Sequence, residues 1–162
     1  MSELKDLMVA APKLTLAVAE SLTCGHLQAR IGAESGASGF FTGGVTAYTI
    51  DQKVALLNVE REAAAAVDCV SDEIARQMAR GVCKLFGSDV GAATTGYAEG
   101  NPDKGVTAPF ACWALARRDG AGGWVYRSGR ITCPGVERTR VQMTVAQIVH
   151  AELPSFVREG RG

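Results

Sequence analysis

An apolar segment of strand length at 14–19 ends abruptly on Glu20 and Ser21 in the stretch TLAVAESLTCG. A buried strand cannot run on through a carboxylate and a hydroxyl, so the chain must turn there. Beyond the break, LTCGHLQARIGA spaces Leu22, Leu27 and Ile31 at roughly helical intervals and closes on Gly32, which predicts a helix starting at the polar break. A strand-to-helix turn of this kind lifts one residue clear of the sheet end. The amides that open the next helix face whatever lies beside that residue.

The rest of the chain alternates in the same way. Residues 2–11 carry apolar positions near helical spacing and Pro12 stops them. After a glycine and serine loop at 35–39, GFFTGGVTAYT reads as a strand that bends or lets another backbone approach at Gly43 and Gly44. Residues 51–57 form a short helix capped by Asp51, and a further helix covers 60–67. Ser71 caps a longer one, DEIARQMARGVCKLF, that Gly87 closes. DVGAATTG is a second buried strand, and its exit YAEGNPDKG is a loop of the kind that carries function. APFACWALARR and WVYRSGRITC flank DGAGG as a hairpin. A last helix at about 137–152 is stopped by Pro154. This order argues for one α/β domain over residues 1–162, a layered sandwich with a mixed sheet.

Charge and cysteine usage exclude several functions. Seventeen basic residues balance seventeen acidic ones, so no global field draws in nucleic acid or an anionic membrane, and a charged ligand must be held locally. No stretch approaches the roughly 20 apolar residues of a membrane span. Five scattered cysteines without a C-x-x-C pair read as reduced thiols in a cytoplasmic protein. Neither zinc-ligand spacing nor a glycine-rich phosphate motif is present, so the reading calls for no metal and no cofactor. Apolar strands at the sheet edges leave room for a homo-oligomer.

The turn allows two roles for its hydroxyl. Ser21 or Thr23 can cap the following helix, or Ser21 can act as a nucleophile beside helix-opening amides that steady an oxyanion. A nucleophilic serine needs a base. His26 lies five residues on along the predicted helix, and His150 sits near the end of the last helix beside Glu152, so a Ser-His-Asp triad does not fit. Tyr48 and Lys53, in TAYTIDQK at a strand-to-helix junction, supply the other option, a tyrosine or a lysine kept neutral by burial. Cys24 is a thiol alternative in the same turn.

These residues also resemble a known family, the CinA C-terminal domain. AESLTCG is similar to the family's AESxTGG, SGASGFFTGGVTAYTIDQKVALLNV to its loop and GGVxAYxxxxKxxLLGV segment, and AVDCVSDEIARQMARGV to its VSxxxAxxMAxGA segment. The resemblance covers nearly the whole chain. It implies a three-layer α/β/α amidase domain that hydrolyses the carboxamide of nicotinamide mononucleotide, giving nicotinate mononucleotide and ammonia. On that likeness Ser21 is the nucleophile and Lys53 its proton acceptor, with Thr23 and Tyr48 beside them. Glu20 would orient the lysine or a ribose hydroxyl, Gly43, Gly44, Gly96 and Ala98 would line the nucleotide site, and Arg138 or Arg140 would meet a phosphate. Five positions depart from the pattern: Cys24 and Ala111 each replace a glycine, Cys112 replaces a threonine, and Glu99 and Gly100 stand where Gly-Pro is usual, so that Glu99 puts a carboxylate in the pocket loop, where it would repel a desolvated phosphate.

Overall fold

The computed structural model describes residues 2–162. Five strands, β1 (Leu16–Glu20), β2 (Phe41–Thr46), β3 (Val90–Tyr97), β4 (Phe110–Arg118) and β5 (Trp124–Thr132), form one sheet in the order β2-β1-β3-β4-β5. β1 runs parallel to both neighbours, while the β3-β4 and β4-β5 pairs are antiparallel, so the sheet is mixed as expected. The β4-β5 turn is held by Asp119, whose Oδ1 accepts the amides of Ala121 and Gly123 at 3.0 and 2.6 Å.

Side-chain alternation along the central strands divides the core in two. Leu16 and Val18, Val90 and Ala92, and Ala111, Trp113 and Leu115 face one layer. That layer is built from α1 (Glu3–Val9), α2 (His26–Gly32) and α6 (Arg138–Glu159). The opposite face offers Ala17, Ala19, Ala93, Ala114 and Ala116 to α3 (Ile50–Leu57), α4 (Arg61–Ala66) and α5 (Asp72–Phe86). The second face is almost all alanine, which lets α5 lie close to the sheet. A Cβ on Gly91 would stand 2.2 Å from the Ala79 carbonyl oxygen, and one on Gly81 would stand 2.1 Å from that of Leu57. The result is the three-layer α/β/α sandwich.

Three expected boundaries shift. α2 begins at His26 rather than at the polar break, because Gly25 precedes it in the left-handed region at φ 99° and Cys24 stands at φ 46°. The N-cap of α3 is Thr49, whose Oγ1 accepts the Gln52 amide at 3.3 Å, and Asp51 lies in the first turn instead. α6 runs through Pro154 to Glu159. A helix-interior proline costs about 3 kcal/mol, but Leu153, Phe156 and Val157 around it are all buried. Each recovers about 1.5–3 kcal/mol on leaving water, so continuing the helix wins.

Gly91→Ala and Gly81→Ala each drive a methyl into main chain that cannot step aside. Each is expected to destabilise by about 1–3 kcal/mol or more, read as a drop of several degrees in the thermal unfolding midpoint. An unchanged midpoint would show that α5 is not seated as described.

Candidate active site

The chain leaves β1 toward one face of the sheet and β2 toward the other, which opens a crevice beyond their carboxyl ends. Glu20 and Ser21 follow the strand alternation into it. Glu20 shares the face of Leu16 and Val18, under α2, where it is fully buried. Its Oε2 accepts the amides of Gly25 and Leu27 at 3.1 and 3.0 Å, and its Oε1 accepts that of Gln28 at 2.9 Å. The carboxylate thus caps α2 from inside, and neither Ser21 nor Thr23 has that task.

Ser21 falls to the opposite face, beside α3. Its amide donates to the Thr94 carbonyl at 3.0 Å, and Thr23 Oγ1 shares a 2.7 Å hydrogen bond with Thr94 Oγ1, so β3 clamps the turn twice. Lys53, on α3 and 1% exposed, turns inward. Its Nζ lies 3.0 Å from Ser21 Oγ, 2.9 Å from the Ala47 carbonyl oxygen and 3.2 Å from that of Tyr48. Burial pulls the Lys53 ammonium below its usual range, while Cys69 and Asp68 act in the opposite sense. As an ammonium, Nζ donates to all three oxygens. In the neutral form that burial favours, the two carbonyls would take the two N–H groups and the lone pair would face the serine hydroxyl.

Around this pair lies a cavity of about 460 Å³, within the usual range of small-molecule sites, roughly 300–1,000 Å³. The β3 exit, 95–101, forms one wall, and a turn at 68–70 forms another. Asp68 and Cys69 both occupy the left-handed region, at φ 49° and 64°, a costly conformation for two successive non-glycine residues. Five hydrogen bonds hold it, one of them from the Asp68 amide to the Ala65 carbonyl at 3.4 Å. Cys69 N–H donates to the Ala64 carbonyl at 2.7 Å, and Thr95 Oγ1 donates to the Cys69 carbonyl at 2.7 Å. The Tyr97 hydroxyl donates to Asp68 Oδ2 at 2.6 Å, and the Lys104 ammonium reaches the same oxygen. These two donors, Lys104 foremost, keep the Asp68 carboxyl below its ordinary value. Burial, then the bond to Asp68, push the Tyr97 phenol up to about 12.

At the mouth, Arg138 Nη1 donates to Glu99 Oε1 at 2.7 Å and Nη2 to the Tyr48 hydroxyl at 2.9 Å. Gly96, Ala98 and Arg138 therefore line the cavity with Ser21, Tyr48 and Lys53. Glu20, Thr23, Gly43, Gly44 and Arg140 do not. Glu20 and Thr23 build the turn, as described above. Gly44 makes room for Val18 and Gln28, whose side chains would stand 2.5 and 2.6 Å from a Cβ there, and Gly43 makes room for Phe86 at 2.9 Å. What the two glycines admit is side chains rather than a ligand. Arg140 is exposed, because residues two apart on a helix face different ways. Of the departures from the family pattern, Glu99 and Gly100 line the cavity; Cys24 is exposed, Ala111 is buried, and Cys112 is buried under α5. Neither histidine lines it, and His150 bonds Glu34 at 2.7 Å rather than Glu152. The sequence reading did not single out Asp68, Cys69, Thr95, Tyr97 or Lys104. Only the loop 97–105 carried a signal, through its glycines and proline.

The fold and crevice define an α/β/α protein with a small-molecule cavity built on a serine and a buried lysine. The chain belongs to the CinA C-terminal domain family, whose model matches residues 1–155. It is 38% identical over 138 residues to a CinA-like protein of Chlorobium limicola, covering 83% of this chain and 31% of that one. It is 41% identical over 109 residues to a CinA-like protein of Mycolicibacterium gilvum, covering 65% and 25%. The chain thus spans about a third or less of the length of these curated relatives. Crystal structures of competence-damaged protein (CinA) superfamily proteins superpose closely. The one from Klebsiella pneumoniae has a TM-score of 0.84 at 26% identity, covering 97% of this chain and 94% of that one. The one from Enterobacter cloacae has a TM-score of 0.84 at 28% identity, covering 96% and 88%. Among the described residues, no helix is long and apolar enough to cross a membrane.

Removing the internal cap should cost stability directly. Glu20→Ala leaves buried amides unpaired and is expected to lose at least about 1–3 kcal/mol in chemical denaturation, with Glu20→Gln losing less because one oxygen still accepts. Equal loss in both variants would show that the cap does not depend on the remaining acceptor.

Proposed function

We propose that the protein is an amidohydrolase in which Ser21 attacks a carboxamide and Lys53 takes the serine proton. The observation that carries this reading is the Lys53 amine, buried 3.0 Å from Ser21 Oγ with two carbonyls as its other partners. In the first step the neutral amine accepts the Ser21 proton as Oγ bonds to the carboxamide carbon, and the C=O pair becomes an oxyanion. The amide of Leu22, which lines the cavity, follows the nucleophile directly and has no acceptor among the described residues, so it is available to that oxygen. The Lys53 ammonium then gives its proton to the departing nitrogen, the C–N bond breaks, and ammonia leaves an acyl-serine. Water attacks the ester, Lys53 takes its proton and returns it to Ser21 Oγ, and a carboxylic acid leaves. Amide plus water has become acid plus ammonia.

The family likeness implies nicotinamide mononucleotide, or a related amide, as substrate. We take the 162 residues as one cytoplasmic domain that self-associates along its sheet edges. A second reading, a paralogue that keeps the fold but takes a different ligand, is favoured by one observation: Glu99 stands in the cavity wall and is tied to its arginine.

Ser21→Ala is expected to abolish ammonia release from nicotinamide mononucleotide or its relatives while leaving the unfolding midpoint in place. Lys53→Met should lose about 10²–10⁴-fold in rate, the usual contribution of a positioned base. Full activity in either variant removes the mechanism. Because catalysis needs the neutral amine, kcat/KM should fall as pH drops through the Lys53 titration. Burial places that limb below the usual lysine value of about 10.4. Asp68→Asn removes a charge that favours the ammonium and should move the limb to lower pH. Movement to higher pH would rule out that electrostatic contact.

A further inference from the structure

A ligand entering the cavity meets four charged groups besides Lys53, and they cancel. Lys104 is bound to Asp68 and Arg138 to Glu99. Two cations thus face two carboxylates, with no cation left over for an anionic ligand. Lys53 adds little, since its burial disfavours the ammonium and its nitrogen is committed to Ser21, Ala47 and Tyr48. Arg130 lies over the Phe110 ring, 3.7 Å from its centroid, and lines a neighbouring hollow of about 360 Å³ instead.

Breaking the Arg138–Glu99 pair is not the obstacle. Its side chains are 45% and 66% exposed, and exposed pairs are worth little. The obstacle is where the displaced carboxylate goes. Glu99 is tethered to the same wall, two residues beyond the end of β3, so a phosphate that takes Arg138 still shares the mouth with a second anion. A dianion therefore gains one contact and one like-charge neighbour. An amide that ends in hydroxyls meets no such opposition and can hydrogen-bond to either partner with the ion pair left intact.

We infer that this cavity selects primary carboxamides whose far end carries no phosphate, of the nicotinamide riboside type, and that Glu99 is the residue that sets this preference. The inference rests on the amidohydrolase reading for its chemistry but not for its charge argument, and the test keeps the two apart. Ammonia release from nicotinamide riboside and from nicotinamide mononucleotide is measured on the unmodified protein and on Glu99→Gln. The riboside is expected to have the higher kcat/KM by about three-fold or more, the scale of one like-charge contact screened by solvent. Glu99→Gln should bring that ratio close to one, chiefly through a lower KM for the mononucleotide. A preference for the mononucleotide, equal values, or a ratio that Glu99→Gln leaves unchanged would overturn the inference. If neither compound releases ammonia, the hydrolase reading falls and calorimetry with Ser21→Ala decides the charge argument. Tighter binding of the riboside upholds it there; equal affinity, tighter binding of the mononucleotide or no binding of either overturns it.

Discussion

The turn after β1 depends on one buried carboxylate. Three amides at the start of α2 need acceptors, and Glu20 supplies both of its oxygens from beneath the helix. A serine or threonine at this place would ordinarily be drawn into capping. Here the cap is already filled, and Ser21, one residue on and facing the other way, keeps its hydroxyl for the crevice. Glutamate and serine are adjacent because strand alternation sends one into each layer. The helix gets its cap on one face, and the site gets its hydroxyl on the other.

The other half of the pair is an amine held where an ammonium is poorly solvated. α3 starts at Ile50 and carries Lys53 in its first turn, with the carbonyls of Ala47 and Tyr48 just before the helix turned back toward Nζ. A few consecutive residues thus provide both the lysine and two of its three partners, and only the serine comes from elsewhere. The opposite wall is costlier. Two left-handed residues at 68 and 69 place a carboxylate and a thiol near the amine, and β3 supplies Thr95 and Tyr97 to hold them there. Of the four left-handed non-glycine residues among the described ones, the two that are successive stand at the cavity.

Packing and chemistry share the same strands without interfering. The alanine-rich face of the sheet lets α5 settle close, with Gly81 and Gly91 at the tightest approaches. α5 follows directly on the strained turn, from Ser71 onward. Seating the helix therefore helps to place that wall of the cavity, and stability and site geometry rest on the same small residues.

The sequence alone determined the α/β class, the strand-to-helix turn at Ser21, the β4-β5 hairpin and the long helix α5, because each is marked by local periodicity, a cap or a turn residue. It also brought Ser21 and Lys53 forward together, by the shortage of histidines and then by likeness to a family. Only the tertiary structure decided what the neighbouring residues do. Glu20, Gly43 and Gly44 proved to serve helix seating, and Arg138 rather than Arg140 faces the cavity. The role of a carboxylate or a glycine depends on which element packs over it. Asp68 lies 29 residues before Tyr97 and 36 before Lys104, and no local pattern marks the hydrogen bonds that join it to them. Periodicity encodes which face a residue takes, but partnership across layers is settled by how those layers are stacked.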